Sequence, residues 1–99
     1  MRVDLIADDD VVDADADRRY QGQSAPLLAG GAKLLVLDVE SMAKEGEPGH
    51  QTVVIEYPTK EAALAAYESE EYQAVVGIRH GATANGRMPI VDGFVMPAR

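Results

Sequence analysis

The hydrophobic pattern of this 99-residue chain switches repeatedly between a two-residue and a helical period. That succession limits the fold more than any other feature. Arg2 to Asp8 alternates as a half-buried strand does. From Ala14 to about Leu28 the spacing turns helical, with Ala16, Tyr20, Ser24 and Leu27–Leu28 near one stripe. Pro26 predicts a kink or a short second turn late in that helix, and Gly30-Gly31 predicts its end. Lys33 to Glu40 reads as a strand with Leu35, Leu37 and Val39 on one face and Leu34, Val36, Asp38 and Glu40 on the other. Residues 43–50 form a polar turn, and Gln51–Tyr57 is a β-branched third strand. Thr59 caps a second helix with a small-residue face. Ser69-Glu70-Glu71-Tyr72 restarts it, and it runs on to Gly81. Residues 82–87 are expected as a loop, 88–95 as the last strand and 96–99 as a tail.

The resulting order, β-α-β-β-α-β, is the ferredoxin-like arrangement: an α+β domain with a four-stranded antiparallel sheet and both helices on one face. A single domain spans residues 1–99, without Gly/Pro/Ser linker or repeat. The uncovered face combines Asp4, Ile6, Leu34, Val36, Asp38, Thr52, Val54 and Glu56, with Ile90, Asp92 and Phe94 as candidate additions. It is too apolar to be simply wet and too acidic for a closed core. A homodimer pairing sheet against sheet resolves that conflict. The net charge of -8 opposes nucleic acid and anionic membranes as partners. No cysteine is present, which excludes disulfides, thiolate metal sites and a cysteine nucleophile. No run is long enough for a membrane span, and the expected location is the cytoplasm.

Val53-Val54-Ile55-Glu56-Tyr57-Pro58-Thr59, the Ala62-Ala63 pair, Tyr67, Ser69-Glu70-Glu71-Tyr72-Gln73 and Arg79 together resemble the domain-of-unknown-function 1330 family. Pro26-Leu27-Leu28 followed by Gly30-Gly31 resembles that family's first helix and its exit. The resemblance covers roughly residues 3–95. It implies the dimeric α+β barrel, in which two ferredoxin-like subunits pair their sheets, and it implies no particular reaction. Tyr57 stands where Phe is commoner, and Ala66 replaces a frequent aromatic beside Tyr67. Val36 occupies a position where many members carry a basic residue, which removes the side chain that anion binding on the second strand would use.

Glu56, a carboxylate in an apolar strand, is a candidate general base if desolvation is uncompensated. The alternative is a structural ion pair with an arginine. Tyr72 and Arg79 lie two helical turns apart, so one face can hold both against a carboxylate or phenolate substrate. Otherwise Arg79 pairs with Glu71 or an acid of the N-terminal half, and Tyr72 packs in the core. Tyr67 joins these two as a candidate substrate-binding residue. His80 ends a helix, where capping competes with a role as catalytic base, and His50 sits in an exposed turn. Two separated histidines make no metal site. Asp8 to Asp17 holds six aspartates in ten positions. Its alternation opens like a calcium loop, but Arg18 stands where glycine is required and Ser24 where glutamate is required. Helix capping by Asp13 or Asp15 explains the cluster better.

No nucleophile, phosphate-loop or dinucleotide motif occurs, so no cofactor is expected. Two functions follow: a non-catalytic, small-molecule-binding dimer, or a cofactor-free enzyme acting on a small carbonyl or aromatic compound by proton abstraction, isomerisation or monooxygenation. The second comes from fold-level analogy. It would place Glu56 or His80 as base, with the pocket between the sheet and the second helix.

Overall fold

The computed structural model describes residues 1–97. Strand β1 (Val3–Val11) leads into helix α1 (Ala14–Gln23) and a 3-10 turn at Ala25–Leu28. Strands β2 (Lys33–Asp38) and β3 (Gln51–Tyr57) follow, then helices α2 (Lys60–Glu68) and α3 (Glu70–Ala82). Strands β4 (Thr83–Arg87) and β5 (Ile90–Asp92) close the chain. The antiparallel sheet has the order β2-β3-β1-β4, and β5 also pairs with β1. β4 and β5 are successive pieces of one edge, interrupted at Met88-Pro89. The Pro89 carbonyl still accepts from the Ile6 amide at 3.0 Å, so the gap costs β1 no bond there. This is the ferredoxin-like α+β architecture, with the helices on one face of the sheet.

The helix boundaries follow local chemistry. Asp13 caps α1 by accepting from the Ala16 amide, and Pro26 opens the 3-10 turn, where its missing N–H costs nothing. Gly30 and Gly31, at φ 73° and 81°, take the left-handed exit that a side chain would resist. Thr59 caps α2 through the Ala62 amide. Ser69 accepts from the Tyr72 amide and donates to the Ala66 carbonyl, so one hydroxyl ends α2 and starts α3.

Three expectations need correction. Residues 83–87 form a strand, and the last strand is confined to Ile90–Asp92. Thr-Ala-Asn-Gly-Arg has little intrinsic strand preference, but β1 imposes one through tertiary contacts. Arg87 lies 3.7 Å from Asp8 and the Asn85 amide donates to Asp10 at 3.2 Å, with Asn85 itself at φ 56°. β1 also runs three residues past Asp8, so Asp9 and Asp10 belong to the sheet. Finally, the β2–β3 register shifts between Leu34 and Val36. Leu34 pairs with Ile55 and Leu37 with Val53, which turns both leucines to the helix side, whereas Val36 opposite Val54 faces away. One extra residue, Leu35, thus breaks the strict alternation. The expected tail falls partly on residues 98–99, outside the described residues.

The core joins Val3, Leu5, Ala7, Ile55 and Tyr57 of the sheet to Leu27, Ala63, Ala66, Tyr72 and Val76. Each large side chain buried there contributes about 1.5–3 kcal/mol. Asp4, Ile6, Thr52, Val54 and Glu56 point to the other face, which no element among the described residues covers. The principal extents are 49 × 36 × 16 Å and the radius of gyration is 14.1 Å, above the ~13 Å of a compact 100-residue domain. The protein is a slab with one finished side. No helix among the described residues is long and apolar enough to cross a membrane.

Candidate functional site

Between the sheet and α1 lies a cavity of about 260 Å³. Leu5, Ala7, Val53 and Ile55 make its floor, and Leu27 and Leu28 of the 3-10 turn close one side. Leu34 and Leu37 of β2 stand at its rim, 47% and 52% exposed. The bulge at Leu35 is what brings both there. Its far end is polar, where Asp9, Gln51 and Arg79 meet Asp17, Tyr20 and Gln21 of α1.

That end is built from strand phase. Val3, Leu5, Ala7 and Asp9 alternate onto the helix side, so the fourth member of an apolar series is a carboxylate, 3% exposed. Arg79, 8% exposed, reaches it from α3, its Nη2 donating to Asp9 Oδ2 at 3.2 Å. Gln51, directly opposite in the β1–β3 register, donates from Nε2 to Asp9 Oδ1 at 3.1 Å. Gln51 Oε1 is buried and has no hydrogen-bond partner among the described residues. Asp17, 5% exposed, accepts from Gln21 Nε2 at 2.9 Å.

Tyrosines back the site. The Tyr20 and Tyr72 hydroxyls lie 2.7 Å apart, their rings edge to face at 6.3 Å. Tyr67 packs on Tyr72 at 5.4 Å. Tyr57 donates its hydroxyl to the Leu27 carbonyl, tying β3 to the turn above the cavity. Burial raises all three phenols that it reaches. Tyr57 is pushed up to about 12, chiefly by desolvation and then by Tyr72. Tyr20 is raised by burial first and its bond to Tyr72 next. Tyr72 is raised by burial, against lowering contributions from Tyr20 and Arg79.

Of the candidate catalytic and substrate-binding residues Glu56, Tyr67, Tyr72, Arg79 and His80, Arg79 alone lines the cavity. Tyr72 is fully buried behind Tyr20, and Tyr67 packs outside it. Glu56 is on the opposite face, 3.3 Å from Arg2 Nε and across the strand from Asp4; it forms an ion pair with an arginine. His80 is exposed beside a shallow depression shared with Asn85 and Arg87. His50 faces Asp10, Nδ1 to Oδ1 at 3.1 Å, while its Nε2 accepts from the Val11 amide at 3.3 Å. Bonds from Asn85 and then from the His50 backbone hold Asp10 below its usual range. The pocket expected between the sheet and the second helix lies instead under α1, with Arg79 as that helix's contribution. The aspartate run divides its labour: Asp13 caps, Asp15 pairs with Arg18, and Asp8, Asp9 and Asp10 serve the sheet. Gln21 and Gln51 are not signalled by the sequence, and Asp9 and Asp17 stand there only within the aspartate cluster assigned to helix capping, although the phase of Val3, Leu5 and Ala7 already points to Asp9. Among the described residues no cluster of three or more His, Asp or Glu is placed to hold a metal ion.

A one-sided antiparallel sheet with an apolar cavity under its first helix defines a ferredoxin-like α+β protein. The chain belongs to the family described as Domain of unknown function (DUF1330), which matches residues 4–94. Its fold is similar to that of the RPA0582 protein of unknown function from Rhodopseudomonas palustris, with a TM-score of 0.80 at 16% identity over 96% of this chain and 84% of that one. It is similar also to SnoaB, a cofactor-independent oxygenase from Streptomyces nogalater, with a TM-score of 0.67 at 8% identity over 96% and 95% of the two chains. A dimeric protein of unknown function and ferredoxin-like fold from Bacteroides fragilis matches with a TM-score of 0.57 at 11% identity, over 93% and 96%. No curated protein matches the sequence.

Proposed function

We propose that the chain is one half of a homodimer joined through the open faces of two sheets. Each half binds a small, largely apolar molecule, bearing one polar group, in the cavity under α1. The observation that carries the binding reading is the cavity's polarity gradient: leucines and isoleucine along its length, and a buried Asp9–Arg79–Gln51 group at its end. Pockets of that kind gain affinity from apolar contact and orientation from few polar groups. The dimer is supported by the uncovered Ile6, Val36 and Val54, by the flatness of the molecule, and by the dimeric neighbour from Bacteroides fragilis. Binding is favoured over catalysis by proton abstraction because both oxygens of Asp9 are engaged. Glu56 and His80, the other bases considered, lie outside the cavity.

The test is a protein-observed NMR titration with small aromatic compounds. Resonances of Ala7, Leu37 and Val53 are expected to shift together. Ala7→Leu, which fills the cavity, should abolish those shifts while the fold is retained. Shifts that persist in Ala7→Leu, or a panel that leaves these residues unmoved, would overturn the cavity as a binding site.

A further inference from the structure

We propose that this cavity prefers a cationic hydrogen-bond donor, a small aryl- or alkylamine, to an acid of the same shape. The assignment rests on the binding reading above and concerns the ligand's chemical class. It reverses the expectation that Arg79 holds a carboxylate or phenolate.

The charges at the polar end do not balance. Among the described residues Arg79 is the one cation lining the cavity, and Asp9 already faces it at 3.2 Å. Asp17 remains. It is 5% exposed, its only hydrogen-bond donor among the described residues is the Gln21 amide, and no Lys, Arg or His among them lies within ion-pairing distance. Its place in the first turn of α1 gives it partial compensation from the helix N-terminus, but no counter-ion. A buried carboxylate without one is costly, and a ligand ammonium supplies it.

Gln51 points the same way independently. The carboxylate of Asp9 can only accept, so the Gln51 amide must turn its NH₂ toward Asp9. Its carbonyl Oε1 is thereby left in the wall, buried and without a donor, on a residue only 7% exposed. An unmatched buried acceptor is paid for in stability unless something donates to it. One buried acceptor of the cavity therefore lacks a donor and one buried carboxylate lacks a counter-ion, whereas an incoming anion would have only the N–H groups that Arg79 has left beside Asp9. A carboxylate entering here meets two carboxylates and a neutralised guanidinium. An ammonium meets one carboxylate without a counter-ion, next to the buried Gln51 carbonyl that a small side-chain shift would bring to it, with Leu5, Leu37 and Ile55 left for its apolar arm.

The experiment compares phenethylamine, 2-phenylethanol and phenylacetate, probes of one shape and three chemistries, by NMR titration at 0.15 M salt. That ionic strength limits long-range attraction of the amine to the acidic surface, since the Debye length is ~8 Å. Wild-type protein should bind phenethylamine at least about tenfold more tightly than phenylacetate, as a charge-assisted contact in a buried site requires. Asp17→Asn should erase that preference by weakening the amine. Asp17→Ser, which removes the same charge with a smaller side chain, should likewise erase the preference, and with the wild-type series it decides the matter if Asp17→Asn does not fold. Phenylacetate binding as tightly as the amine, or a preference that survives Asp17→Asn, overturns the assignment. If 2-phenylethanol binds without any amine preference, the cavity reading stands and the assignment alone falls. If none of the three moves the cavity resonances, both fall.

Discussion

Asp9 and Arg79 are where single side chains matter most. Taking two charges out of water costs several kcal/mol for each, and the pair is tolerable only because each neutralises the other and Gln51 fills the remaining oxygen. Removing one partner strands the other. Asp9→Ala is expected to lower the unfolding free energy by about 3–5 kcal/mol in urea denaturation, and Asp9→Leu with Arg79→Met by much less than the sum of the singles. Single variants within about 1 kcal/mol of wild type would mean that the pair is not holding α3 to β1. Arg79 was legible in the sequence because its spacing from Tyr72 puts both on the buried face of a helix. Asp9 was not, for an instructive reason. Six aspartates in ten positions draw attention as a cluster, whereas the structure uses them one at a time, according to strand phase. Glu56 stood out as a lone carboxylate in an apolar strand, but the same parity that makes Ile55 and Tyr57 core sends Glu56 to the other face, toward Arg2.

Among elements, the pattern of alternation and capping gave the order of strands and helices, and Pro26, Gly30-Gly31 and Ser69 marked the breaks correctly. The misplaced features are those decided by a neighbour. β4 is a strand because β1 pairs with it, and the bulge in β2 appears only when β2 is laid against β3. The loop from β2 to β3 shows a further tertiary demand. Its Gly49 amide donates to Asp8 at 3.0 Å, and a Cβ there would stand 2.2 Å from the Asp9 carbonyl oxygen. Since β1 cannot yield, Gly49→Ala must lift the loop off the strand that carries Asp9. A loss of about 2 kcal/mol or more is expected, read as a lower thermal midpoint, with accelerated amide exchange across Asp9 and Gln51. Gly22, which has open space around it, is the control, and an equal effect of Gly22→Ala would remove the steric explanation.

The whole molecule has one packed face and one bare one, and the proposed dimer is the assembly that would cover the bare face. Sedimentation at micromolar concentration should give twice the 10.6 kDa chain mass. Val36→Asp adds a charge to a face already carrying Asp4, Asp38 and Glu56, and should return the protein to a folded monomer. A wild-type species of 10.6 kDa would end the paired-sheet proposal.

The two borders of the sheet are unlike each other, with a consequence for how copies can add. At the β4–β5 border the strand is cut by Pro89, which has no amide to offer, and bent by the left-handed Asn85. The β2 border carries one bulge at Leu35 but is exposed along its whole length and rich in leucine, the kind of border on which foreign strands dock. Two copies joined there, border to border, would each turn an interrupted rim outward. Ribbon-like growth would then meet a rim that lacks an amide at Pro89 and is bent at Asn85, which disfavours further strand addition.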